Sequence, residues 1–166
     1  MRFAAHYDYE AEPQTVAELL RNREYLLAAA TAAGAEASQV EVSPGPGNGF
    51  TVTIRSTMPT AGLPASVRGL LPQGLELRQA FVWEEAADDG SRRATMAGEL
   101  GGAAVGVTGS AWLNPAGGGS RLEFGGEVKS PVPLVGRVIE EAAVPAIVKV
   151  LDTQHRIGVD WLDCSS

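Results

Sequence analysis

The chain has 166 residues, 13 basic and 20 acidic, giving a formal charge of −7 and a pI near 4.8. Hydrophobic residues make up 45% and charged residues 20%, a balance that excludes a disordered chain and predicts one domain with a core large enough to fold unaided. The acidic balance, with no basic run longer than Arg92-Arg93, also excludes nucleic acid as a natural partner, because that binding is driven by neutralising phosphates.

Residues Phe3 to Tyr9 alternate, with Phe3, Ala5, Tyr7 and Tyr9 on one face and Ala4, His6 and Asp8 on the other, the period of a strand with one buried face. The charges scattered through this N-terminal stretch leave no signal-peptide core. Glu12-Pro13 ends the strand, and Pro13 suits the first position of a helix, although Thr15 and Glu18 have capping-box spacing and leave the start open by about a turn. Val16, Leu19 and Leu20 give that helix one apolar face. Asn22 has the character of an N-cap for a second helix, with Tyr25, Leu26 and Ala29 inward and an end near Gly34.

A series of strands follows. Ser38 to Val42 is extended, and the Pro44–Gly49 run is a turn rather than a phosphate loop, because a strand and not a helix comes after it. In that next strand Phe50, Val52 and Ile54 point inward. Leu63-Pro64 to Leu71-Pro72 reads as a helical turn or lid. Leu75, Leu77, Gln79, Phe81 and Trp83 then share one face, and the acidic stretch Glu84 to Gly90 turns the chain. Ala94 to Leu100, Ala103 to Leu113 and Ser120 to Val128 complete about seven strands at hairpin spacing, which predicts one large antiparallel sheet.

After Pro131-Val132-Pro133 the period changes. Leu134, Val135, Val138, Ile139, Ala142, Ile147, Val150, Leu151, Ile157 and Trp161 recur every three or four residues, opposite Glu140, Glu141, Lys149, Asp152 and Arg156. This predicts an amphipathic helix of roughly 28 residues, about 42 Å long. Pro145 lies inside it and is expected to kink it, since it has no N–H for the Glu141 carbonyl. The most apolar stretch, Ala142 to Leu151, is about ten residues with a lysine inside, too short to span a bilayer about 30 Å thick. An integral membrane protein is therefore not expected.

This order of elements packs if a curved sheet wraps around the long helix. Gly98, Gly101, Gly102, Gly106, Gly109, Gly125 and Gly126 supply weak points for the bend. One helix does not fill the concave side of such a sheet, so a hollow is expected between them, enlarged by inward-facing Ala94, Gly98, Ala111, Gly126 and Ala142. The same small residues would also permit closer helix–sheet contact.

The order resembles the helix-grip fold of START-related lipid-transfer domains and polyketide cyclase/dehydratase families, an α+β architecture with a curved seven-stranded antiparallel sheet around a long C-terminal helix. More narrowly the chain is similar to a family of actinobacterial proteins within that superfamily. Leu70-Leu71-Pro72, Val107 to Ala111, Gly126 to Lys129 and Pro133 to Glu140 carry the resemblance over almost the whole length. It implies a hydrophobic pocket for lipids, sterols, isoprenoids or polyketides, and it transfers no catalytic motif.

The candidate ligand-binding residues are Ile54, Leu77, Gln79, Phe81, Trp83, Met96, Phe124, Val138, Ile139 and Ala142. Gln79 is the most informative, because an inward-facing amide must find a partner, whether ligand, backbone or water, or cost roughly 1–3 kcal/mol. His6 and Asp8 share a strand face and have the form of a base with its orienting carboxylate, but a solvated outer face explains them equally. His155 near Asp152, Asp160, Asp163 and Cys164 lacks a metal-site spacing, and Glu84, Glu85, Asp88 and Asp89 lack that of a calcium loop. Lone Cys164 can form no internal disulfide. The sequence thus predicts a cytoplasmic protein without cofactor or metal that binds or carries a hydrophobic small molecule. A polyketide-cyclase-type enzyme or an adaptor for a protein partner are the alternatives, and nothing in the sequence indicates an oligomeric state.

Overall fold

Alternation decides which side of each strand turns inward, and the strands assemble accordingly. The computed structural model describes residues 1–61, 65–69, 75–101 and 105–165. Seven strands, β1 (Arg2–Tyr9), β2 (Ala37–Pro44), β3 (Phe50–Met58), β4 (Leu75–Trp83), β5 (Arg92–Gly101), β6 (Val105–Ala116) and β7 (Gly119–Lys129), form one curved antiparallel sheet in the order β1-β7-β6-β5-β4-β3-β2. On β3, Phe50, Val52, Ile54 and Ser56 are buried; on β7, Leu122, Phe124 and Val128 are. From β2 to β7 each strand pairs antiparallel with the next in sequence, whereas β1 lies at the opposite edge from β2 and needs a connection across the sheet.

Two helices supply it. α1 (Pro13–Leu20) and α2 (Arg23–Ala32) carry the chain from one edge of the sheet to the other. Pro13 does begin α1, with Glu12 in the N-cap position and no side-chain cap, so the Thr15–Glu18 pair falls inside the helix. Asn22 caps α2, its side-chain oxygen accepting the Tyr25 N–H at 3.1 Å. Of the segment expected to form a lid, the described part is the short helix α3 (Ala65–Arg68); Leu63, Pro64, Leu71 and Pro72 lie outside the described residues. The long helix, α4 (Gly136–Ser165), has 30 residues and runs unbroken through Pro145. The expected helix-grip architecture is present.

Two glycines meet across neighbouring strands on the inward face of the sheet. Gly109 and Gly126 face each other across β6 and β7, and Phe3 of β1 stands opposite Gly126. A Cβ at Gly126 would lie 2.5 Å from the Thr108 carbonyl oxygen and 2.9 Å from the Phe3 ring. Gly126 therefore does not widen the hollow. The space its missing side chain leaves is occupied by Phe3, which packs over the bare backbone.

The position of α4 is fixed at its C-terminal half. All three tyrosines of the chain meet there. Tyr7 donates its hydroxyl to Asp152 at 2.6 Å, and Tyr25 donates to the Gln154 carbonyl at 2.7 Å. His155 stacks on Tyr7 with ring centroids 5.0 Å apart, meets the Tyr9 ring edge-on at 4.9 Å, and donates Nε2–H to the Asp8 carbonyl at 2.8 Å. Gly158 allows this approach: a Cβ there would stand 3.3 Å from both the Tyr9 and Tyr25 hydroxyls. The α4 backbone comes close to α2, β1 and β7 and stands further from β3 to β6. The helix is held along one side.

Two outcomes test these contacts. Gly126→Ala forces an overlap with backbone and aromatic ring, and should lower stability by about 1–3 kcal/mol in urea unfolding. The tyrosines give a pH dependence. Burial pushes the Tyr9 hydroxyl well above its ordinary value of 10.0, and burial with the Asp152 hydrogen bond does the same for Tyr7. Their contribution is complete below about pH 10 and declines as pH rises toward the folded values, because the unfolded chain then releases protons that the native state keeps. Stability should fall above pH 10, and Tyr9→Phe should reduce that fall by up to about 1.4 kcal/mol per pH unit while changing little at pH 7.

Candidate functional site

The registers of neighbouring strands align inward side chains into rows that cross the sheet. One row runs Val40, Ile54, Gln79, Gly98, Val107 and Val128; the next runs Val42, Val52, Phe81, Met96, Gly109, Gly126 and Phe3. Over β3 to β6, where α4 stands off, these rows and the one through Leu77 and Leu100 form the floor of a cavity of about 490 Å³. The volume is that of a site for a drug-sized molecule. Met58, Pro59 and Leu75 border one end, and Ala33 at the end of α2 closes a side.

The roof is a stripe of α4. Ala142, Pro145, Ala146, Lys149 and Val150 follow at helical spacing, joined by Ile147 and Leu151. Space remains for two reasons. The facing residues Gly98, Ala142 and Ala146 are small, and the tyrosine contacts hold the helix from the far side so that it cannot settle onto β4 and β5. Apolar Ala142, Ile147 and Val150 accordingly stay only half-buried.

Gln79 is the polar group in this floor. It faces Ile54 on one neighbouring strand and Gly98 on the other. Among the described residues its side-chain amide has no hydrogen-bond partner, backbone or side chain. The amide borders the cavity with two donors and an acceptor available. Lys149 is the other polar lining residue, exposed at the rim.

Of the residues expected at a site, Leu77, Gln79, Phe81, Met96 and Ala142 line this cavity. Ile54 lies beside Gln79 but faces an adjoining recess of about 10 Å³ with Leu26, Ser56 and Gln154. Trp83, Phe124, Val138 and Ile139 do not line it. Trp83 stacks on Phe50 at 6.2 Å and Phe124 meets Tyr7 and Phe81 edge-on, both in the filled half of the sheet. Ile139 is buried in the first turn of α4, whereas Val138 is 48% exposed one turn before Ala142. Ala94 and Ala111, 3% and 0% exposed, also lie in the packed half rather than enlarging the hollow. Period two identifies an inward face but not which row the helix covers. Pro145, Lys149 and Val150 were missed, although their spacing from Ala142 places them on its helical face.

Other candidates have structural partners. His6 is exposed. Asp8 accepts two hydrogen bonds from Arg121 at 2.8 and 3.2 Å, and this guanidinium holds the carboxyl below its usual range. Among the described residues no group of three or more His, Cys, Asp or Glu side chains could hold a metal ion. A depression of about 610 Å³ between Arg2, Ala4, Thr108, Gly125 and Glu127 is larger in volume but shallow and open; it is the outer face of β1, β7 and β6, where Ala4 and Gly125 leave the pleat uncovered.

This is a helix-grip fold of the START-like kind, with its hollow between sheet and gripping helix. The family model of a protein of unknown function, DUF2505, matches residues 4–162, and the chain belongs to that family. No curated protein matches it in sequence. Among solved structures, TTHA0849 from Thermus thermophilus superposes with a TM-score of 0.66 at 15% identity over 100% of both chains. A STAR-related lipid transfer protein fragment from Xanthomonas axonopodis gives 0.59 at 15% identity, covering 95% of this chain and 85% of that one. Protein Ms6760 from Mycobacterium smegmatis gives 0.58 at 11% identity, covering 99% and 92%. At these identities the likeness establishes the fold. No helix among the described residues is long and apolar enough to cross a membrane.

Gln79→Leu tests whether the amide is structural. With no partner lost among the described residues, unfolding stability should stay within about 0.5 kcal/mol of the parent or rise. A loss of about 2 kcal/mol or more would mean that the amide is bonded within the fold.

Proposed function

We propose that this protein binds and carries a hydrophobic small molecule, of lipid, isoprenoid or polyketide type, in the hollow between β3–β6 and α4. The observation that carries this reading is an apolar cavity of about 490 Å³ whose floor presents one amide, Gln79, without a partner among the described residues. Apolar ligand surface leaving water supplies affinity at about 25 cal/mol per Å², and Gln79 orients the ligand by bonding a carbonyl or hydroxyl within it. The STAR-related lipid transfer protein that shares the fold supports the same class of ligand by analogy.

A cyclase-type reaction would require an acid or base inside the hollow to move a proton. Among the described lining residues the only ionisable group is Lys149, and it stands at the rim. Binding without chemistry is therefore favoured over catalysis.

Protein purified from its native host and extracted with organic solvent should release a lipophilic compound in near-stoichiometric amount, detected by mass spectrometry. A Phe81→Trp and Met96→Trp double variant, which fills the floor, should release little while remaining folded by circular dichroism. Equal recovery from parent and filled variant would overturn the assignment of this cavity as the site.

A further inference from the structure

The cavity roof carries a cation without a counter-charge. The chain has seven more acidic than basic groups and only two lysines, Lys129 and Lys149. Lys129 forms an ion pair with Glu127 at 3.7 Å. Lys149 has none among the described residues. Its helical neighbours explain this. The positions three and four residues away are the ones a helical side chain can reach, and here they are Pro145, Ala146, Asp152 and Thr153. Three are uncharged, and Asp152, the one carboxylate, accepts the Tyr7 hydroxyl at 2.6 Å.

Lys149 also borders the cavity, whose described lining contains no aspartate or glutamate. A lone ammonium at the mouth of an apolar hollow is complementary to a molecule with an apolar body and a negative end. Resting on the reading of this cavity as a ligand site, we propose that its ligand is an amphiphile with an anionic head group, carboxylate or phosphate, held by Lys149 at the rim while the tail lies over Leu77, Phe81 and Met96. Lys149 is a specificity determinant: it selects acids over neutral molecules of the same length.

The test uses the full chain loaded with the neutral probe N-phenyl-1-naphthylamine, displaced at pH 8 by dodecanoic acid, dodecyl phosphate or dodecanol. The parent should bind at least one of the two acids about fivefold or more tighter than the alcohol, a preference that shrinks as salt rises. Lys149→Met should abolish the preference, and Lys149→Arg should retain it. Which acid gains more distinguishes a carboxylate from a phosphate ligand. Equal affinity for acids and alcohol in the parent, or a preference surviving Lys149→Met, would overturn the head-group assignment while leaving the hydrophobic site intact. Failure of the probe and all three amphiphiles to bind would remove the hydrophobic site and this inference together.

Discussion

The contact on which the rest of the structure depends is the one between α4 and the tyrosines of β1 and α2. A 30-residue helix laid over a curved sheet would lower its free energy by sinking until its apolar face met the floor. Here the C-terminal half is fixed by two hydroxyl hydrogen bonds, a stacked histidine and the close approach at Gly158. These interactions are directional, so they set a height as well as an affinity. The N-terminal half is held as well, by buried Ile139 and Ala143 and by the Ser130 N–H donated to Glu140 at 3.2 Å, and between these supports the helix stands off β3 to β6. The cavity is a consequence of that span.

The sheet contributes the matching half of the constraint. Its inward rows are filled unequally. The row through Phe50, Trp83 and Phe124 carries three aromatic rings, whereas the row through Gln79 has none and is bare at Gly98. Protein cores pack at about the density of organic crystals, so an apolar space of this volume beside a packed half divides the interior into two parts. The packed half supplies stability. The hollow half exposes apolar helix surface at Ala142, Ile147 and Val150 that a ligand would cover.

Polar groups follow the same division. Arg92 and Ser120 bond the backbone carbonyls of Asn48, Glu84 and Ala11 in the turns beside the strands, and Tyr25 bonds the Gln154 carbonyl within α4. The Gln79 amide and the Lys149 ammonium lie on the hollow and have no partner among the described residues. An amide without a protein partner in an apolar floor adds little to a purely structural role, whereas an amide there and an ammonium at the rim are placed to orient a bound molecule.

Much of this was readable in the residues. Alternation in β1, β3, β4 and β7, the Asn22 cap and the three- and four-residue recurrence in α4 are local signals set by backbone geometry, and they determine the elements and their inward faces. Gln79 was legible as an inward amide for that reason. The division between core and cavity was not. Trp83 and Gln79 stand on the same face of the same strand, and only the placement of α4, fixed by residues more than a hundred positions away in β1, leaves one packed and the other open. Lys149 read as part of the helix's polar face until the sheet put a hollow beside it. Sequence specifies periodicity, which is a short-range property; which row of a sheet a helix covers is decided by long-range contacts, and those exist only in the folded chain.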